Sequence, residues 1–212
     1  MMKLSKKALA LMMALVLVVG CAVGGAVAWL TEKTEPVTNT FTPGRLVEEK
    51  ADFSLMEHVA VRGENGAYAL TQELTTANTY SVLPGVNLPK DPFISLKNVE
   101  EAYLYVEVVD ALPETLTYAM DTNWVALKDG ATAVTGPHGG EIYAWNVKLP
   151  AVTDAKIYNI LKDKQIVVSS SFTAPVDVPA DYTETLSFYG YLAQGAGQDT
   201  ALSAWKAANF TV

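Results

Sequence analysis

From Ala102 to Val108 the chain alternates without a break, with Ala102, Leu104, Val106 and Val108 on one side of an extended backbone and Tyr103, Tyr105 and Glu107 on the other. A period of two belongs to a β-strand, because successive side chains of an extended chain point to opposite faces; a helix of 3.6 residues per turn would scatter them. The pattern recurs between turn signals. Phe53 to Val61 reads as a strand, and Glu64-Asn65-Gly66 supplies an Asn-Gly turn that folds it back onto Ala67 to Leu70. Trp124 to Leu127 and Ala131 to Val134 flank Lys128-Asp129-Gly130 as a second hairpin, and Gly139-Gly140 opens Glu141 to Leu149, with Tyr143, Trp145, Val147 and Leu149 on one face. Gln165 to Phe172 sets Ile166, Val168 and Phe172 against Ser169 and Ser171. Thr183 to Leu192 sets Leu186, Phe188 and Leu192 against Tyr189 and Tyr191. Strands this dense, joined by turns, predict an all-β antiparallel sandwich rather than βαβ units. Two short helices are expected within it. Thr153 caps one carrying Ile157, Ile160 and Leu161; Asp199 or Thr200 caps another near the C-terminus, Ala201 to Ala208, with Leu202 and Trp205 on one face.

The chain begins with a different kind of segment. Lys3, Lys6 and Lys7 precede an uncharged apolar run, Ala8 to Val23, and Ala26-Val27-Ala28 is a small-x-small cleavage site, so residues 1–28 read as an export signal cut before Trp29. A transmembrane helix is the first alternative, since about 20 apolar residues span a bilayer. Gly20, Gly24 and Gly25 near the end of the run favour cleavage instead. The second alternative is lipidation, because Val18-Val19-Gly20-Cys21 has the form of a lipobox and Cys21 is the single cysteine. The remainder divides into an N-terminal segment, residues 29–50, and a sandwich domain, residues 51–212. Cleavage after Ala28 leaves 184 residues and no cysteine, so a packed core must stabilise the domain without disulfides. Loss of the three lysines takes the basic count from 15 to 12 against 23 acidic residues, a net charge of −11. That balance is a poor match for nucleic acid. Membrane contact is expected only through the signal peptide or a lipid on Cys21, and the location is secreted or cell-surface.

The junction Gly24-Gly25-x-x-Ala28-Trp29-Leu30-Thr31-Glu32, followed by Thr40-Phe41-x-x-Gly44, resembles the exported TasA/camelysin family of Gram-positive bacteria, whose signal peptides are cut by the dedicated peptidase SipW. Leu83-Pro84-Gly85 through Lys90-Asp91-Pro92 to Asn98, and then Ala102-Tyr103-Leu104-Tyr105-Val106, resemble sandwich strands common in this wider group. The resemblance implies a jelly-roll-like sandwich acting as a cell-surface or biofilm-matrix structural protein. It also implies fibres in which the N-terminal segment of one subunit completes the sheet of the next. The corresponding stretch is Trp29 to Phe41, where Val37, Thr38, Thr40 and Phe41 would form the added strand through backbone hydrogen bonds. Pro36 is tolerated at an edge but interrupts the ladder. The partners implied are further copies of the chain or other matrix proteins, and the signal peptidase during export. The camelysin branch carries a metallopeptidase label, which makes an exported peptidase the alternative activity, and a monomeric surface adhesin is a third reading.

Side chains that carry chemistry are few. The only histidines are His58 and His138, and neither lies in a His-Glu-x-x-His helix, the arrangement that sets two imidazoles and a general base on one face. Glu57-His58 has the reverse order and falls in a predicted strand; His138, between Pro137 and Gly139, reads as a loop residue. No catalytic residue, metal ligand or cofactor is assigned on this basis. Ser169, Ser170 and Ser171 lack a Gly-x-Ser-x-Gly elbow and read as strand faces. Gly195-Ala196-Gly197 reads as a loop before a helix rather than a phosphate-binding turn, and Glu48, Glu49, Asp52, Glu100 and Glu101 read as solvated faces without EF-hand spacing. The pairs Tyr103/Tyr105 and Tyr189/Tyr191 offer rigid amphipathic area for glycans or proteins. Their preferred reading is structural, as the second side of the core or as cross-strand pairs.

Overall fold

In the computed structural model, which describes residues 45–173 and 185–211, the alternating segment becomes strand β5 (Ala102–Asp110) at the centre of the molecule. In chain order the other strands are β1 (Phe53–Arg62), β2 (Tyr68–Thr75), β3 (Leu88–Pro89), β4 (Phe93–Leu96), β6 (Leu116–Thr117), β7 (Trp124–Ala126), β8 (Lys128–Asp129), β9 (Thr132–Ala133), β10 (Glu141–Trp145), β11 (Lys156–Asn159), β12 (Gln165–Val168) and β13 (Leu186–Gln194). A single α-helix among the described residues, α1 (Ala201–Ala208), follows. All strand pairings are antiparallel. A first sheet has the order β11-β4-β1-β2, a second β13-β5-β10-β7, and a smaller third β3-β12-β6, with β8 and β9 as a separate hairpin. This is the sandwich that the alternation predicts.

Both faces of β5 are buried, so its two sets of side chains build two cores. Leu104, Val106 and Val108 face the first sheet, where Ile94, Leu96, Tyr158 and Ile160 meet them. Each large apolar side chain fully removed from water there contributes about 1.5–3 kcal/mol of transfer free energy. On the other face Tyr103 and Tyr105 pack under α1. Trp205 of that helix stands edge-on to Tyr105 with centroids 5.1 Å apart, and the Tyr105 hydroxyl donates to the Ala201 carbonyl at 2.7 Å. The layers are therefore sheet, sheet and helix. Leu46 and Val47 already belong to this unit rather than to a segment preceding residue 51, since the Val99 N–H donates to the Leu46 carbonyl and Val47 packs on the inter-sheet core.

Local signals account for the connections. Gly66 turns the β1–β2 hairpin with φ of 83°, a left-handed conformation that glycine adopts without a Cβ penalty. The pairing then skips between His58 and Ala60, and the bulge is clipped by one side chain. Asn78 donates to the His58 carbonyl and accepts from the Ala60 N–H, both at 2.8 Å. Thr200 caps α1 by accepting from the Ser203 N–H at 3.0 Å, and Ser203 Oγ accepts reciprocally from the Thr200 N–H.

Four expectations are corrected. Thr153 caps no helix; Lys156–Asn159 pairs with β4 from Lys156↔Leu96 to Asn159↔Phe93, and Ile157 faces outward while Tyr158 is buried. Strand β10 stops at Trp145, leaving Val147 exposed, and only Leu149 returns to the sheet, in a bridge to Ala102. Strand β12 stops at Val168, so Ser169 to Ser171 form a turn rather than strand faces, with the Ser169 and Ser171 hydroxyls 2.7 Å apart. Lys128 and Asp129 belong to β8 itself, and the turn sits at Gly130, with φ of 64°.

Candidate functional site

Cys21, Ala26, Ala28, Trp29, Val37, Thr38, Thr40 and Phe41 lie outside the described residues. Within them the structure draws attention to two paired histidines and to one strand edge.

Each histidine is held by a buried carboxylate. His138, in the loop between β9 and β10, has Nδ1 3.0 Å from Glu107 Oε2 and 3.0 Å from the Tyr191 hydroxyl, and its ring stacks on Tyr189 at 3.6 Å. Glu107 has no exposed surface. Its Oε1 accepts from the His138 and Gly140 N–H groups and its Oε2 from the Tyr191 hydroxyl at 2.6 Å. Burial alone pushes the Glu107 carboxyl up, but the Tyr191, Gly140 and His138 hydrogen bonds outweigh it and hold the group below its ordinary value of 4.5. Burial and the same Glu107 contact push the Tyr191 hydroxyl up, so it stays a donor. The second pair lies on the opposite sheet. Asp91, 3% exposed, accepts from the His58 N–H at 3.0 Å and sits 2.7 Å from its Nδ1. The two histidines are thus separately anchored, and among the described residues no three His, Cys, Asp or Glu side chains converge as a metal-ligating group would.

The tyrosine rows divide. Tyr103 and Tyr105 are core residues beneath α1, and Tyr191 packs edge-on to Trp205. Only Tyr189 of the four remains exposed, at 37%. Gly195 makes a close backbone approach, where a Cβ would meet the Glu101–Ala102 peptide at 2.8–2.9 Å, which gives the Gly195-Ala196-Gly197 loop a structural role.

The open edge belongs to β13. All nine of its residues pair with β5, from Leu186↔Asp110 to Gln194↔Ala102, and among the described residues its other side has no partner strand. Edge strands usually carry protection against further pairing: a charge, a proline or shortness. The remaining edges show it, since β2 carries Glu73, β11 carries Lys156 and β7 has three residues. The β13 sequence, Leu-Ser-Phe-Tyr-Gly-Tyr-Leu-Ala-Gln, has none of these.

A cleft of about 610 Å³ runs beside that edge, and five consecutive residues, Thr185 to Tyr189, line it. Its apolar wall includes Leu55, Leu88, Leu116, Ile166, Leu186 and Phe188. At its floor Glu57, 3% exposed, is paired with Lys90, whose Nζ lies 3.1 Å from Oε1 and 2.9 Å from Oε2. Lys90 Nζ also lies 6.0 Å from the centre of the Phe188 ring. Burial, with the Glu57 and Asp91 charges nearby, pushes the Tyr80 hydroxyl up, and it donates to the Pro89 carbonyl at 2.6 Å. An extended segment laid along β13 would find backbone donors and acceptors on one side and an apolar trough for alternate side chains. The faces of β13 were readable from its alternation; its place at an edge depends on pairing between distant segments and left no local signal. Comparison with family models, with curated proteins and with solved structures gives no match to this chain.

Proposed function

We propose that this is an exported cell-surface or extracellular-matrix structural protein that assembles by strand addition, with residues 29–41 of one subunit pairing along the β13 edge of the next. The observation that carries this reading is the nine-residue, uncharged, proline-free edge of β13 beside an apolar cleft. The export signal in residues 1–28 and the resemblance of the Gly24 to Glu32 junction to the TasA/camelysin family support it from the sequence.

Electron microscopy and light scattering on the chain beginning at Trp29, over a concentration series, test it. The intact chain is expected to elongate, whereas deletion of residues 29–41 leaves a folded protein that does not. Val37→Pro should weaken elongation, because it removes a backbone donor next to Pro36. Unchanged fibres from the deletion variant, or an intact chain that stays monomeric at high concentration, would overturn the reading.

A further inference from the structure

The outer face of the second sheet is covered by α1, but the outer face of the first sheet has no such cover among the described residues. A groove of about 520 Å³ crosses it. Met56 and Phe93 form the floor, and Leu74 and Ile157, 49% and 55% exposed, stand on the flanking strands β2 and β11. Two basic side chains, His58 and Lys164, also line the groove, and no carboxylate does. That composition stands out on a chain with 23 acidic and 15 basic residues.

Both basic groups are positioned. Asp91 engages His58 through the backbone N–H and Nδ1, which leaves Nε2 as the ring nitrogen free for a ligand. Lys164 follows Asp163 in a left-handed pair, with φ of 51° and 58°, a conformation that is uncommon outside glycine. The Lys164 carbonyl is fixed by the Lys90 N–H at 2.9 Å, next to the strand that carries Asp91 and Phe93. The groove also holds Asn159, and Ser54 and Ser95 are register partners four residues along the ladder from His58. That spacing, about 13 Å at 3.3 Å per residue, puts the two hydroxyls beyond reach of the imidazole, so a nucleophile–base pair does not form here.

We infer that this groove binds a small apolar carboxylate, its anionic head between Lys164 and His58 and its hydrocarbon body over Phe93 and Met56. The inference does not rest on strand addition, since of the groove's lining residues only Met56 also lines the β13 cleft. Charge complementarity selects the head group through Lys164, because a cation of the same length would meet that ammonium, while the Asp91 carboxylate is already engaged by His58. The apolar floor supplies the rest of the affinity.

Isothermal titration of the chain beginning at Trp29 with decanoate, decanol and decyltrimethylammonium, each below its micellar concentration, tests the assignment. Decanoate should bind at one saturable site, at least tenfold more tightly than the cation. Lys164→Gln and His58→Asn should each weaken decanoate about tenfold; the asparagine retains a donor toward Asp91 while removing Nε2. Ile157→Glu, at an exposed position, should abolish decanoate binding without altering the melting temperature. Equal binding of anion and cation, full affinity in both the Lys164 and His58 variants, or the absence of a saturable site would overturn the inference.

Discussion

Glu107 shows how far a single residue can escape a pattern. In the alternation of β5 it occupies a position that reads as polar and outward, yet it is fully buried because the loop from Gly136 to Gly140 folds over it and supplies its donors. Nothing local in the sequence marks that loop as a cover, although Gly136 and Gly140 are required by it: a Cβ at Gly136 would strike the Glu107 carboxyl and Ile142, and one at Gly140 the Val108 carbonyl. Gly136→Ala should therefore destabilise by about 1–3 kcal/mol through overpacking. Glu107→Leu orphans the His138 and Gly140 N–H groups, while the Tyr191 hydroxyl keeps His138 Nδ1 as a partner; at roughly 1–3 kcal/mol per unsatisfied group the change should cost about 3 kcal/mol. In a domain of this size that is a fall of roughly 6–12 °C in Tm, measurable by calorimetry. The stabilisation depends on pH in a defined direction. The folded Glu107 carboxyl titrates below its ordinary value of 4.5, so the unfolded chain takes up the proton first. Its contribution is complete above the unfolded value and declines as pH falls below about 4.5 through the lower folded value. Urea unfolding between pH 3 and 7 should show the gap between the native chain and Glu107→Leu closing toward acid; a constant gap would contradict the assigned role.

At the scale of elements, legibility followed whether the signal was local. The boundaries of α1 were readable and its cap narrowed to Asp199 or Thr200, of which Thr200 serves, because the caps and the spacing of Leu202 and Trp205 lie within one short segment. Thr200→Ala should cost about 1 kcal/mol as a lost cap. Trp205→Ala should cost about 3–5 kcal/mol, because Trp205 is the apolar side chain that seats the helix on Tyr105, Tyr191 and Phe210. Thermal unfolding of the two variants separates these magnitudes, and equal effects would contradict this division between cap and seat. Strand β11 has the sequence pattern of a helix for a physical reason. Ile157, Ile160 and Leu161 fit helical spacing, while the alternation of exposed Ile157 and buried Tyr158 becomes decisive only once β4 presents an edge to pair with. Strand β12 ended early because Ser169 to Ser171 satisfy one another in a turn, a local competition that serine side chains often win against a ladder.

At the scale of the whole molecule the sandwich class was legible from turn density and period-two runs, but strand order was not. The neighbours of β13 are set by its pairing with β5, some 80 residues distant. The resulting open edge is what turns a stable fold into a candidate building block. Ser187→Lys, which puts a charge on a strand that has none at a half-buried position lining the cleft, should suppress elongation in light scattering while costing the fold no more than about 1 kcal/mol. Loss of the fold instead would place Ser187 in the core rather than at an accepting edge. The same edge can be read directly by residue-resolved amide hydrogen exchange on assembled and unassembled protein. Strand addition predicts that the backbone amides of Leu186 to Gln194 facing away from β5 exchange readily in the monomer and become protected on assembly, with the amides bonded to β5 unchanged. Fibres that form while those outward amides keep exchanging at the monomer rate would contradict it.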